Sequence, residues 1–156
     1  MKTNFYLEGR FRSKWFSKFI NHWLFLCLPH KTEKLLYISF FTLKNKLNCC
    51  PILIFFEVLE KIKPSIGLKF YKKRHKKKKL TKVMAVPFIL NLSAQCRKAI
   101  FWLFKSIKVR HEKKLILKIV NELYGISFLT LGESLKKKNE FYTFGVMFKT
   151  AKRFKW

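Results

Sequence analysis

The stretch Ile66–Phe88 reads IGLKFYKKRHKKKKLTKVMAVPF and constrains the fold more than any other part of the chain. Two runs of β-branched, aromatic and aliphatic residues flank a lysine core that contains Arg74 and His75. Pro64 precedes the first run and Pro87 closes the second. Proline marks strand ends because it has no N–H for the ladder. The pattern predicts a long β-hairpin at about 65–88. Lys69 lies on its first run, and its tip carries Lys72, Lys73, Arg74, Lys76, Lys77, Lys78, Lys79 and Lys82. Like charges packed on one arm repel one another unless a polyanion neutralises them. A disordered basic linker is the competing reading.

Charge carries the argument to the whole chain. Lys and Arg total 35 against 8 acids, all of them Glu, for a formal net charge of +27. Yet 49% of the 156 residues are hydrophobic, enough for a real core in one domain. A chain that is both core-forming and this basic calls for a polyanionic partner. Nucleic acid is the first candidate and an anionic membrane surface the second. The longest uncharged runs, Phe19–His30, Leu35–Leu43 and Leu47–Phe56, fall well short of the roughly 20 apolar residues of a spanning helix. Met1–Arg10 holds no apolar signal-peptide core.

Apolar spacing predicts a mainly α domain. A basic arm occupies residues 1–13 and a helical domain residues 14–156, with five to six helices and the one protruding hairpin. Ser13 is a candidate cap for a first helix carrying Trp15, Phe16, Phe19, Ile20 and Trp23, with Pro29 its end. A second helix begins near His30 or Thr32. A third starts at Pro51, where proline suits the first turn, and stops at Pro64. Ser93 caps a fourth helix, from Ala94 to about Arg110, with Cys96, Ala99, Ile100, Leu103 and Ile107 as its buried stripe. Arg97, Lys98, Lys105 and Lys108 lie off that stripe. A fifth helix starts near Glu112 and turns Leu115, Ile116, Ile119, Val120 and Leu123 inward, with Gly132 as a stop.

Candidate RNA-binding residues outside the hairpin are Arg10, Arg12 and Lys14 in and beside the arm, Arg97 and Lys98 on helix four, and Lys136, Lys137 and Lys138. At the C-terminus they are Lys152, Arg153, Lys155 and Trp156. There Phe148 and Phe154 alternate with cations. Such aromatics stack on bases or pack on helix four, and the sequence leaves both readings open.

Catalytic chemistry has no visible basis. The glutamates are scattered, and no phosphate-binding glycine loop or metalloprotease motif is present. His22, His30, His75 and His111 have no partner at ligand spacing. Cys27, Cys49, Cys50 and Cys96 form no CxxC, so no metal or cofactor is expected and all four read as buried, reduced thiols.

With these elements placed, the chain resembles the S-seven family of small-subunit ribosomal proteins from about Lys14 to Trp156. The carriers are Leu59-Glu60-x-Ile62-Lys63-Pro64 before the hairpin and Val86-Pro87 at its close. Ala99, Trp102 and Arg110 follow in helix four, then Asn121-Glu122-Leu123 in helix five. Gly132 with Leu135-Lys136-Lys137-Lys138 and the ending Phe154-Lys155-Trp156 complete the set. Phe19-Ile20-Asn21 and Lys31-Thr32-Glu33-Lys34-x-x-Tyr37 fit more loosely. The resemblance implies a structural, non-enzymatic protein that binds the 3′ major domain of small-subunit rRNA and initiates assembly of the subunit head. It also implies a place beside exit-site tRNA and the mRNA exit channel, with the neighbouring protein S-eleven near the hairpin.

The chain departs from the family pattern in its longer, lysine-filled hairpin without the double glycine. Asn91, Ala94, Gln95 and Phe101 also stand where the family has arginine. Phe, Lys, Ile and Asn far outnumber Ala, Gly and Pro, as AT-rich codon usage would produce. With the short N-terminal arm, this points to an organellar, mitochondrial version. The alternative is a peripheral protein whose basic amphipathic helices lie on anionic lipid.

Overall fold

The computed structural model describes residues 13–23, 29–75 and 78–149. In chain order these form α1 (Lys14–Trp23), α2 (Pro29–Leu47), α3 (Pro51–Ile62), β1 (Ile66–His75) and β2 (Lys78–Ile89). After the hairpin come α4 (Leu92–Val109), α5 (Leu115–Ser127) and α6 (Glu133–Lys149). The fold is mainly α, with six helices and one antiparallel two-stranded hairpin among the described residues.

One core joins the helices. α1 packs on α4, α2 on α5, and α3 on α5, so each helix buries the stripe its 3.6-residue period provides. Phe16, Phe19, Phe40 and Phe55 meet where α1, α2 and α3 converge. The Phe16 ring stands edge-on to Phe40 at 5.2 Å and to Phe55 at 5.6 Å, the geometry that aromatic quadrupoles favour. The α4 stripe is buried as its spacing predicts, with Ala99, Ile100, Leu103 and Ile107 wholly excluded from solvent.

Local chemistry moved several boundaries. Pro29 opens α2 instead of ending α1, since a first-turn proline loses no hydrogen bond. Asn91, not Ser93, caps α4. Its Oδ1 accepts from Ala94 N at 3.0 Å, and the helix gains residues at its start. α5 begins at Leu115 instead of near Glu112, whose carboxylate is engaged by Arg110. Gly132 does not stop α5, which ends at Ser127. It permits close approach: a Cβ there would overlap Ile126 Cγ1.

The hairpin confirms the expected element and corrects its end. β2 runs through Pro87, paired with Leu68, to Ile89, paired with Ile66. A two-stranded sheet leaves one side of each strand unpaired, and proline is tolerated there. α6 packs on β2, and a Cβ on Gly145 would come within 3.3 Å of Ile66 Cδ1, so the helix seats closely at the hairpin base.

The cysteine expectation fails for two residues. Cys96 is buried, whereas Cys49 and Cys50 are exposed at the turn between α2 and α3. Asn48 there adopts φ 51°, a left-handed conformation that asparagine tolerates, and Cys50 is the N-cap of α3. Cap and turn positions lie outside the apolar stripe, so burial does not reach them. Cys27 lies outside the described residues.

Candidate nucleic-acid interface

The paired helices α1 and α4 present the broadest array of cations next to aromatic rings. On α4, Arg97, Phe101, Lys105 and Lys108 follow one another at i, i+4, i+8 and i+11, which places them along one outward face. All four are exposed. Lys105 Nζ lies 4.5 Å from the centroid of Phe101, and Lys108 Nζ 4.4 Å from that of Phe104. On α1, Lys18 Nζ stands 4.8 Å from the Trp15 ring, with Lys14 exposed one position before Trp15. A cation–π contact holds an ammonium in place without neutralising it, so the charge stays available to a phosphate.

Few acids oppose this surface. Among the described residues, ion pairs engage Glu57 with Lys61, Glu60 with Lys63, Glu112 and Glu122 with Arg110, and Glu133 with Lys136. These glutamates are already matched locally, and most lysines keep an uncompensated charge. Arg110 alone among these cations engages two glutamates. Its Nε donates to Glu112 at 2.9 Å and its Nη1 to Glu122 at 2.8 Å. The bond to Glu112 raises the guanidinium pKa, against the opposing effect of burial. Arg110 therefore anchors the α4–α5 turn.

The structure distributes the sequence-predicted cations over several surroundings. Lys14 and Arg97 lie on the α1–α4 face, with Arg97 Nε also donating to Ser93 O at 3.4 Å. Lys98 is half-buried, its Nζ 3.5 Å from the Phe141 centroid and 5.3 Å from that of Trp102. Burial lowers its pKa. Lys136 pairs with Glu133 at 2.6 Å, Lys137 donates to Ser106 Oγ at 3.3 Å, and Lys138 donates to Lys61 O at 2.6 Å. Lys137 and Lys138 thus fasten α6 to α4 and α3, while Lys136 pairs within α6.

Lys69 is exposed on β1, with Nζ 5.0 Å from the Phe88 ring. Lys72, Lys73 and Arg74 continue β1, and Lys78, Lys79 and Lys82 lie on β2. Lys73 stands opposite Lys82 in the ladder, and the register shifts between Arg74 and His75. Arg10, Arg12, Lys76, Lys77, Lys152, Arg153, Lys155 and Trp156 lie outside the described residues.

Lys18, Lys105 and Lys108 join the surface without having been singled out as contacts. The helical spacing of Arg97, Lys105 and Lys108 carried a usable signal. Lys18 carried none, because only the packing of α1 on α4 brings it there. No group of three His, Cys, Asp or Glu residues among the described residues could hold a metal ion, and no described helix is long and apolar enough to cross a membrane.

Comparison with known proteins finds relatives by sequence. The family model described as Ribosomal protein S7p/S5e matches residues 1–145. The small ribosomal subunit protein uS7 of Mycoplasma mycoides subsp. mycoides is 27% identical over 124 residues, covering 80% of this chain and 76% of that protein. The uS7 protein of Metamycoplasma arthritidis is 26% identical over 146 residues, covering 94% and 89%. That of Wigglesworthia glossinidia brevipalpis is 24% identical over 149 residues, covering 96% and 91%.

Proposed function

This chain belongs to the ribosomal protein S7p/S5e family, a structural and non-enzymatic constituent of the small ribosomal subunit, and from that premise we propose how it holds RNA. It binds the 3′ major domain of small-subunit rRNA through two surfaces, the α1–α4 face and the lysine-rich hairpin, and so organises the subunit head. The observation that carries this reading is the α4 face itself, where exposed lysines stand over aromatic rings while five glutamates are paired elsewhere.

Phosphate neutralisation supplies most of the affinity, because lysines are flexible point charges that suit a backbone and read no base. The resemblance further supports a position beside exit-site tRNA and the mRNA exit channel, with S-eleven as a neighbour of the hairpin. The AT-rich residue usage supports an organellar setting, the mitochondrial ribosome. The basic arm of residues 1–13 and the C-terminal Lys152, Arg153, Lys155 and Trp156 extend the RNA contact.

Binding of the full chain to a transcript of the 3′ major domain, measured from low to physiological salt, tests the mechanism. Affinity should fall linearly on a log–log plot, with a slope near −0.9 per neutralised phosphate in duplex regions and about −0.7 in single strands. A slope near zero overturns it. Co-sedimentation with mitochondrial small subunits tests the location, and absence from that fraction removes the organellar part alone.

A further inference from the structure

Between α1 and α4 opens a cleft of about 310 Å³ lined by Lys18, Asn21, His22, Arg97 and Ile100. Its chemistry is mixed in a particular way. Ile100 is fully buried and gives an apolar floor. The His22 ring lies 6.4 Å from Phe101, which is 41% exposed, and 5.7 Å from Phe104. Burial lowers the His22 pKa, so at neutral pH the ring is an uncharged aromatic face. The Asn21 amide, a donor and an acceptor together, has no hydrogen-bond partner among the described residues. Neither Lys18 nor Arg97 takes part in an ion pair among the described residues.

An apolar floor, an aromatic flank, one free amide and two unpaired cations match the parts of a single nucleotide. A planar base needs a π surface and an edge partner, and its flanking phosphates need cations. A helix pair packed for stability alone would close this gap with aliphatic side chains. Duplex RNA cannot use the cleft, since its bases are stacked and paired. An unpaired, splayed-out nucleotide can.

We propose that the α1–α4 cleft receives one unpaired nucleotide of the bound RNA, its base against His22 and Phe101 above Ile100, its edge on Asn21, and its flanking phosphates on Lys18 and Arg97. This deepens the RNA-binding reading above and rests on it. The cleft adds a position-specific contact to a surface that otherwise grips backbone, and so sets the register of the protein on its RNA.

The test uses the full chain, a transcript of the 3′ major domain, binding across salt, and nucleotide-resolution probing of 2′-OH reactivity. Asn21→Ala alters the cleft lining, and Phe101→Leu removes the ring that flanks His22 at its edge. Lys113→Ala with Lys114→Ala removes exposed charge elsewhere. The wild-type chain should protect an unpaired nucleotide. Each cleft variant should bind about tenfold more weakly, restore reactivity at that nucleotide, and keep the salt slope, because stacking is not a counterion effect. The lysine pair lies outside both RNA surfaces and should leave the slope and the protection intact. If the wild type binds with a steep slope but neither cleft variant changes affinity or protection, the cleft is a packing gap and the proposal falls. If the wild type does not bind the transcript, the RNA-binding reading fails first and takes this one with it.

Discussion

Arg110 Nη1 donates to Glu122 Oε2 at 2.8 Å across twelve positions of sequence, onto a carboxylate with no solvent exposure. The other oxygen of Glu122 accepts from Ser134 N at 3.1 Å and Ser134 Oγ at 2.7 Å. One carboxylate therefore joins the end of α4, the middle of α5 and the first turn of α6. A buried charge is tolerated only when its partners are complete, so this junction works as a unit. It also holds the α4 face in a fixed orientation to the rest of the body.

Arg110→Ala should lower the unfolding free energy by about 3–5 kcal/mol, because it strands the Glu122 charge. Urea unfolding followed by helicity measures this. The double variant Arg110→Ala, Glu122→Gln should recover part of the loss. A single-variant loss below about 1 kcal/mol would show that other groups satisfy Glu122.

Acid should weaken the same junction through Glu112. Its Oε1 accepts from Arg110 Nε at 2.9 Å and Asn121 Nδ2 at 3.2 Å, and the bond from Arg110 holds its pKa at about 2, below the ordinary 4.5. A folded value below the unfolded one means stability present above about 4.5 and lost as pH falls toward 2. Thermal unfolding between about pH 5 and pH 2 should show a falling midpoint, and Glu112→Gln should flatten that fall. An unchanged pH profile in the variant would assign the acid sensitivity to other carboxyls.

Leu103 is wholly buried in the α4 stripe. Leu103→Ala should cost about 2–5 kcal/mol through lost transfer energy and the cavity left behind. Denaturant titration decides it. A cost under about 1 kcal/mol is incompatible with a residue packed at the junction of α4 and the other helices.

The hairpin lysines should act on RNA and not on folding. Lys76→Ser, Lys77→Ser, Lys78→Ser and Lys79→Ser together remove four like charges that gain nothing from one another. Helicity and melting temperature should stay almost unchanged. Affinity for rRNA should drop by a similar factor across sequences, and the salt slope should flatten by a few units at most. Unchanged affinity would mean these lysines are solvated and idle.

Much of this architecture was legible because it depends on local period and on strong punctuating residues. The α4 stripe of Cys96, Ala99, Ile100, Leu103 and Ile107 is an i, i+3, i+4 pattern, and all five are buried. The alternation of apolar runs about a cationic centre located the hairpin within a residue or two of its ends. Errors fell where two residues compete for one local role. Asn91 and Ser93 can both cap a helix, and Pro29 can end one helix or open the next.

The sequence alone determined the mainly helical class, the basic character, the hairpin and the family, since periodicity, charge and motif order are properties of the chain itself. Only the tertiary structure decided which charges are free and which are used. Lys98 over Phe141, Lys137 on Ser106 and Lys138 on the Lys61 carbonyl look in sequence like their exposed neighbours. Their roles depend on partners 31 to 77 positions away, and on another helix, in all three cases. The cleft that joins Lys18, Asn21 and His22 to Arg97 exists for the same reason. Spacing along one helix places residues on a face, but only the packing of two helices brings two faces together.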